Sequence, residues 1–172
     1  MSPQNTALLV IDVQQELFQK STKIYQAEAL LANINTLVER AHRGGAPVVY
    51  IQHSSDRILL KGSPGWELHE QLRPLPEDPI VYKEHGNAFE DTNLAEILQG
   101  KHITRLVITG LVTHGCVNAT VMGALELGYQ VTLVKDAHSS YSKDAAKRIE
   151  ELHQKLSATK AEVKPTQEIT FG

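Results

Sequence analysis

The sequence predicts an α/β fold built on a parallel sheet with helices on both faces. Three observations carry this. Short continuous apolar runs recur along the chain, as expected of strands buried on both sides. Segments with apolar residues at helical spacing lie between them. Glycines close several of these segments, where a left-handed backbone ends a helix.

Thr6 to Asp12 (TALLVID) is the first buried strand. A polar turn follows, then a helix whose stripe is Ala27, Leu30, Leu31, Ile34, Leu37, Val38 and Ala41, closed by Gly44-Gly45. Pro47 to Gln52 is the second strand. Residues 53 to 79 have little regular pattern and hold Gly62, Pro64, Gly65, Pro74, Pro76 and Pro79 around Trp66. A stretch of that length is often a functional loop. Ile80 to Lys83 is a short strand, Thr92 to Leu98 a helix, and Arg105 to Gly110 a strand. Cys116 to Leu127 reads as a helix ended by Gly128. Gln130 to Lys135 is a strand, followed by Asp136-Ala137. Lys143 to Leu156 is a helix, and Ala161 to Val163 a last short strand.

At 172 residues the chain is expected to form a single domain over 1–172. A net charge of -3 without a dense Lys/Arg run argues against nucleic acid or an anionic membrane as partner. The one cysteine cannot form an internal disulfide, which fits a reducing, cytoplasmic setting. The apolar run Ala7 to Ile11 is too short for a signal-peptide core or a membrane span. No glycine-rich dinucleotide fingerprint, P-loop or HEXXH pattern occurs.

Ligands of open α/β sheets bind at the carboxyl ends of the strands. Asp12 ends the first strand, Lys83 ends IVYK, and Cys116 lies just past the strand ending near Gly110. Each alone has an ordinary reading: a helix cap, a solvated surface lysine, a small core residue. Together on one sheet edge they suit a thiol nucleophile, its base and a tuning cation. A thiol at a helix start is expected to have its thiolate favoured by the partial positive charge there. Backbone N–H groups of the turn Val112 to Cys116 could receive an oxyanion. The eight histidines offer one loop group for a metal, His53 with Asp56 and His69, and His114 could wall a pocket.

The ordered set of motifs resembles the isochorismatase-like cysteine hydrolase superfamily. It comprises Leu8 to Gln14 (LLVIDVQ), the lysine of Val81-Tyr82-Lys83, Phe89 to Leu94 (FEDTNL), Gly110 to Thr120 (GLVTHGCVNAT), Leu127-Gly128-Tyr129 and Asp136-Ala137. The resemblance runs from Ala7 to about Val163. It implies a Rossmann-like three-layer sandwich with a mostly parallel six-stranded sheet and an Asp12–Lys83–Cys116 triad. It also implies an oxyanion hole from the N–H groups of Thr113 and Cys116, with a cis peptide joining Val112 to Thr113. Gln14, His53, Trp66, Phe89, Val112 and His114 are the expected substrate-binding residues. The expected partners are a small-molecule substrate and further copies of the chain, with Trp66 and its loop as lid or interface.

Members of this superfamily hydrolyse small amides, and the presence of Cys116 places the chain on that side. Related nicotinamidases hold a metal through an aspartate two residues before a histidine. Here Ile51 stands two before His53. The expectation is therefore no metal and no other cofactor. The alternatives are a metal-assisted nicotinamidase and a non-catalytic binding or scaffold protein on the same fold.

Overall fold

Six strands form one all-parallel sheet in the order β3-β2-β1-β4-β5-β6. They are β1 (Thr6–Ile11), β2 (Val48–His53), β3 (Ile80–Lys83), β4 (Arg105–Leu111), β5 (Gln130–Ser139) and β6 (Glu162–Lys164) in a computed structural model that describes residues 5–171. The helices are α1 (Ala27–Arg43), α2 (Leu94–Gly100), α3 (Asn118–Glu126) and α4 (Ala145–Leu156).

Period-two alternation divides the core into two layers. Leu8 and Val10 of β1 pack with Leu30, Ile34 and Leu37 of α1 on one face. Ala7, Leu9 and Ile11 face the other layer, with Leu94 and Leu98 of α2, Val121 of α3 and Leu152 of α4. Every residue of β1 is buried, which explains why the run carries no alternation of apolar and polar residues. Chain order reverses between β1 and β4, so the switch point opens at their carboxyl ends. No helix among the described residues is long and apolar enough to cross a membrane.

Several elements depart from the expected bounds, each for a local reason. β5 runs on to Ser139, because the ladder shifts register between Ile108 and Gly110 and resumes as Gly110 opposite His138 and Leu111 opposite Ser139. The polar residues Asp136 and His138 had hidden that second half. α2 begins at Leu94, two residues late. The Thr92 hydroxyl donates to the Ala88 carbonyl (2.6 Å) and accepts from the Leu94 N–H (3.2 Å), holding Thr92 in the preceding turn. α4 begins at Ala145, after a turn in which the Ser140 hydroxyl accepts from the Ser142 N–H at 3.1 Å. The segment from Thr113 to Val117 is a wide π-type turn, and the α-helix itself starts at Asn118. The cis peptide joins Leu111 to Val112, one bond earlier than expected. β4 stays in its ladder through Leu111, so the chain leaves the sheet at that bond.

Gly110 has φ +123°, and a Cβ there would collide with the Ile11 carbonyl oxygen on the adjacent strand. Gly110→Ala is therefore expected to destabilise the protein by about 3 kcal/mol or more, since neither strain nor overlap can relax inside a central ladder. The urea midpoint of unfolding measures this; an unchanged midpoint would contradict it.

Candidate active site

Each of three strands delivers one polar side chain to the same point. Asp12 follows the last residue of β1, with φ 54° and its N–H bonded to the Ile51 carbonyl at 2.9 Å. Lys83 is the last residue of β3. Cys116 sits in the π-type turn after β4, where the N–H groups of Gly115 (3.0 Å) and Val117 (3.2 Å) both bond to the Val112 carbonyl. Asp12 and Lys83 are almost wholly buried (3% and 1% exposed), while Cys116 is half-buried.

The Lys83 ammonium lies at the centre of the group. Its three N–H groups are shared among four neighbours, three of which are Asp12 Oδ2 at 3.1 Å, Cys116 Sγ at 3.2 Å and the His85 carbonyl at 3.1 Å. It also lies 2.9 Å from His53 Nδ1. Burial pushes the His53 pKa down and the adjacent ammonium lowers it further, so the imidazole is neutral and accepts at Nδ1. Its proton therefore sits on Nε2.

Burial raises the Asp12 pKa, outweighing the opposing pull of Lys83. The Cys116 thiol is pushed up to about 12, first by burial and then by the Asp12 carboxylate, against the favourable charge of Lys83. This corrects the expectation of a favoured thiolate. A helix-start field is strongest where water is partly excluded, but here the same exclusion penalises the anion, and a carboxylate is a near neighbour. Asp12 Oδ1 is buried with no hydrogen-bond partner among the described residues.

The remaining expected residues divide. His53 joins the cluster. Gln14 does not present a free amide: its Nε2 donates to the carbonyls of His53 (3.0 Å) and Trp66 (2.8 Å), and its Oε1 accepts from the His53 N–H (2.9 Å). It fastens the loop after β2 to the end of β1. Trp66 is likewise no exposed lid or interface residue. It is buried in the core, stacks on Tyr82 at 5.6 Å, and its carbonyl also accepts from Gln52 Nε2 at 3.0 Å. An antiparallel bridge between Gln14 and Leu68 pins the same loop. Phe89 stacks on Tyr129 at 5.6 Å, Val112 packs against the α1-side core, and His114 is exposed. Gln52 was not anticipated. Its signal was a glutamine closing an otherwise apolar strand, where a buried amide must find partners.

The loop group His53, Asp56 and His69 does not assemble. Asp56 is exposed, and His69 packs on Phe18 with Nδ1 accepting from the Gln71 N–H. Asp12, His53 and Cys116 do bring one ligand atom each within 4.8 Å of one another. The Lys83 ammonium touches all three, so a positive charge already occupies the space a cation would need. These residues do not fit a metal.

The isochorismatase domain model matches residues 6–160. The chain belongs to the isochorismatase family. Within that family it is 37% identical over 142 residues to a streptothricin hydrolase of Streptomyces noursei, covering 81% of this chain and 51% of that protein. The chain thus spans about half the length of that relative. An isochorismatase from Pseudomonas putida KT2440 has a similar structure, with TM-score 0.89, 27% identity and coverage of 98% of this chain and 92% of that one. N-carbamoylsarcosine amidase from Thermoplasma acidophilum matches with TM-score 0.83 and 27% identity over 98% of this chain and 99% of that one. The isochorismatase-family fold is thus matched over nearly the whole chain, including the three strand ends that carry Asp12, Lys83 and Cys116.

Proposed function

We propose that this chain hydrolyses a small amide or other C–N bond through a thioester on Cys116. The observation that carries this reading is the single buried ammonium bonded to both Asp12 and Cys116 Sγ. Two relatives, named as a streptothricin hydrolase and an N-carbamoylsarcosine amidase, support the reaction class.

The resting thiol keeps its proton. As sulfur attacks the carbonyl carbon, Asp12 Oδ1 takes that proton, and raised basicity makes it a better acceptor than an ordinary aspartate. The carbonyl π electrons move to oxygen, which backbone N–H groups of the turn from Val112 to Cys116 receive. Asp12 then protonates the leaving nitrogen as the C–N bond breaks. A water, deprotonated by Asp12, attacks the thioester carbon. The C–S bond breaks, the acid leaves, and the proton returns to sulfur. Lys83 keeps its charge throughout and offsets the negative charge shared by Asp12 and Cys116.

A panel of amides, ureas and carbamoyl compounds, assayed for released ammonia or amine, tests the class. Turnover by the native protein and none by Cys116→Ala is the expected result; no turnover of any C–N substrate would sink the reading. No step needs a metal. Activity is therefore expected to survive exhaustive chelation within about twofold. Loss on chelation with recovery on adding zinc, iron or manganese would revive the nicotinamidase alternative.

A further inference from the structure

The Lys83 ammonium has more neighbours than it can serve. It carries three N–H groups. Four acceptors lie around Nζ: His53 Nδ1 at 2.9 Å, Asp12 Oδ2 and the His85 carbonyl at 3.1 Å each, and Cys116 Sγ at 3.2 Å. Lys83 is buried, so the competition is settled among these four.

The contact with His53 is built into the sheet. His53 stands opposite Lys83 in the β2–β3 register, and the two side chains leave the same face. The Ser54 N–H bonds to the Lys83 carbonyl at 3.0 Å. The Gln14 amide holds both backbone groups of His53, accepting from its N–H and donating to its carbonyl. The backbone that carries the imidazole is thus fixed beside the ammonium.

The four acceptors are unequal. A carboxylate takes the strongest hydrogen bond from an ammonium. A carbonyl oxygen and an imidazole nitrogen are good acceptors, and a thiol sulfur is a weak one. With His53 in place, the sulfur receives the smallest share. No second cation makes this up among the described residues. Asp12 and Lys83 are the charges that act on Cys116. Glu84 and His85 act on His53, with opposite signs. Lys155 of α4 bonds instead to Asn118 Oδ1 at 3.3 Å, and His114 is exposed.

We propose that His53 acts through Lys83 as a positioning residue: it takes one of the three N–H groups and so withholds it from the Cys116 sulfur, which stays a thiol at rest. The inference takes Cys116 as the nucleophile, as proposed above. Its chemical use is protection. A thiol reacts far more slowly than a thiolate with stray electrophiles, and here Asp12 removes the proton only when a carbonyl carbon is in reach.

Iodoacetamide tests this without any hydrolysis. The sulfur displaces iodide, an S–C bond forms, and the thiol proton passes to the buffer. Rates are compared in mildly alkaline buffer, where slow variants are measurable. His53→Phe and His53→Leu fill the space but offer no acceptor, and each should be alkylated about tenfold faster than the native protein. His53→Asn, whose Oδ1 stands where Nδ1 stood, should stay within about threefold of native. In the Lys83→Met background, His53→Phe should change the rate by less than about twofold, because the ammonium being shared is gone.

Native or slower alkylation in His53→Phe would overturn the proposal; should that variant fail to fold, His53→Leu carries the same test. An Asn variant as fast as Phe would also overturn it, since the acceptor would then not be the cause. So would an acceleration that persists without Lys83, which would mean easier access to the sulfur. If neither the native protein nor the Phe variant is alkylated, the nucleophile reading and this inference fall together. A substrate panel without turnover, beside the expected alkylation pattern, removes the hydrolase reading and leaves the tuning of the thiol by His53 standing.

Discussion

Cys116→Ala is expected to lower kcat by a factor on the order of 10⁴ or more while leaving the fold unchanged. Removal of the nucleophile eliminates the acyl-enzyme route, and only transition-state binding by the turn would remain. The side chain is half-buried and lies at the margin of the core layer that holds α3. Loss of one sulfur there costs about 1 kcal/mol, too little to unfold the protein. Mass spectrometry supplies a second readout. Under rapid quench, native protein should carry the mass of the acyl group, and Cys116→Ala should not. Turnover by the variant at more than about a hundredth of the native rate would assign the chemistry to another group.

The second large effect concerns the buried charges. Asp12→Asn and Lys83→Met are each expected to reduce kcat by about a hundredfold or more. Asn cannot accept the thiol proton. Met leaves a buried carboxylate with no ammonium beside it, and that carboxylate then takes up a proton and ceases to be a base. The two losses should be far less than additive, because one event disables the same proton transfer in both variants. Stability separates charge pairing from catalysis. Lys83→Met alone is expected to lose about 3 kcal/mol, the usual scale for breaking a buried pair. The double variant, with no charge in the site, should recover part of that loss but none of the activity.

The pH dependence has a definite sign. Activity needs Asp12 ionised, and burial raises its pKa. The acid limb of kcat/KM should therefore lie above the ordinary aspartate range, with activity falling as pH drops through it. At the other end, a thiol pushed up to about 12 keeps its proton across neutral pH. Simple alkylation of native Cys116 should then be slower at neutral pH than that of a free thiol, and should quicken as pH rises. Fast alkylation at neutral pH would mean that Lys83 outweighs burial and Asp12.

Some of this was legible because it rests on local rules. Buried parallel strands need continuous apolar runs, so β1, β2, β3 and β4 stood out at nearly their true bounds. Strand ends in such a sheet share one edge, so Asp12, Lys83 and Cys116 could be placed near one another by position alone. The fine bounds of β5 and α2 were not legible, because a bulge and a side-chain hydrogen bond shift them without an apolar signal.

Side-chain partners were beyond reach for a different reason. Gln14 and Trp66 stand in motifs that suggest a pocket, yet Gln14 is 39 residues from the His53 backbone it binds and 52 from that of Trp66. Only folding brings those groups within 3 Å, where desolvation obliges a buried amide to take any partner that fits. The direction of the Cys116 shift was decided in the same way. Sequence placed the thiol at the start of a helix and near a lysine, which favours the anion. Burial and the position of the Asp12 carboxylate, both properties of the packed molecule, reverse that balance. Sequence by itself thus determined the sheet, the edge formed by the carboxyl ends of its strands and the three residue types gathered there. The tertiary structure decided which of their atoms meet, which protons they hold, and that an ammonium fills the centre, because distance and desolvation exist only once the chain is folded.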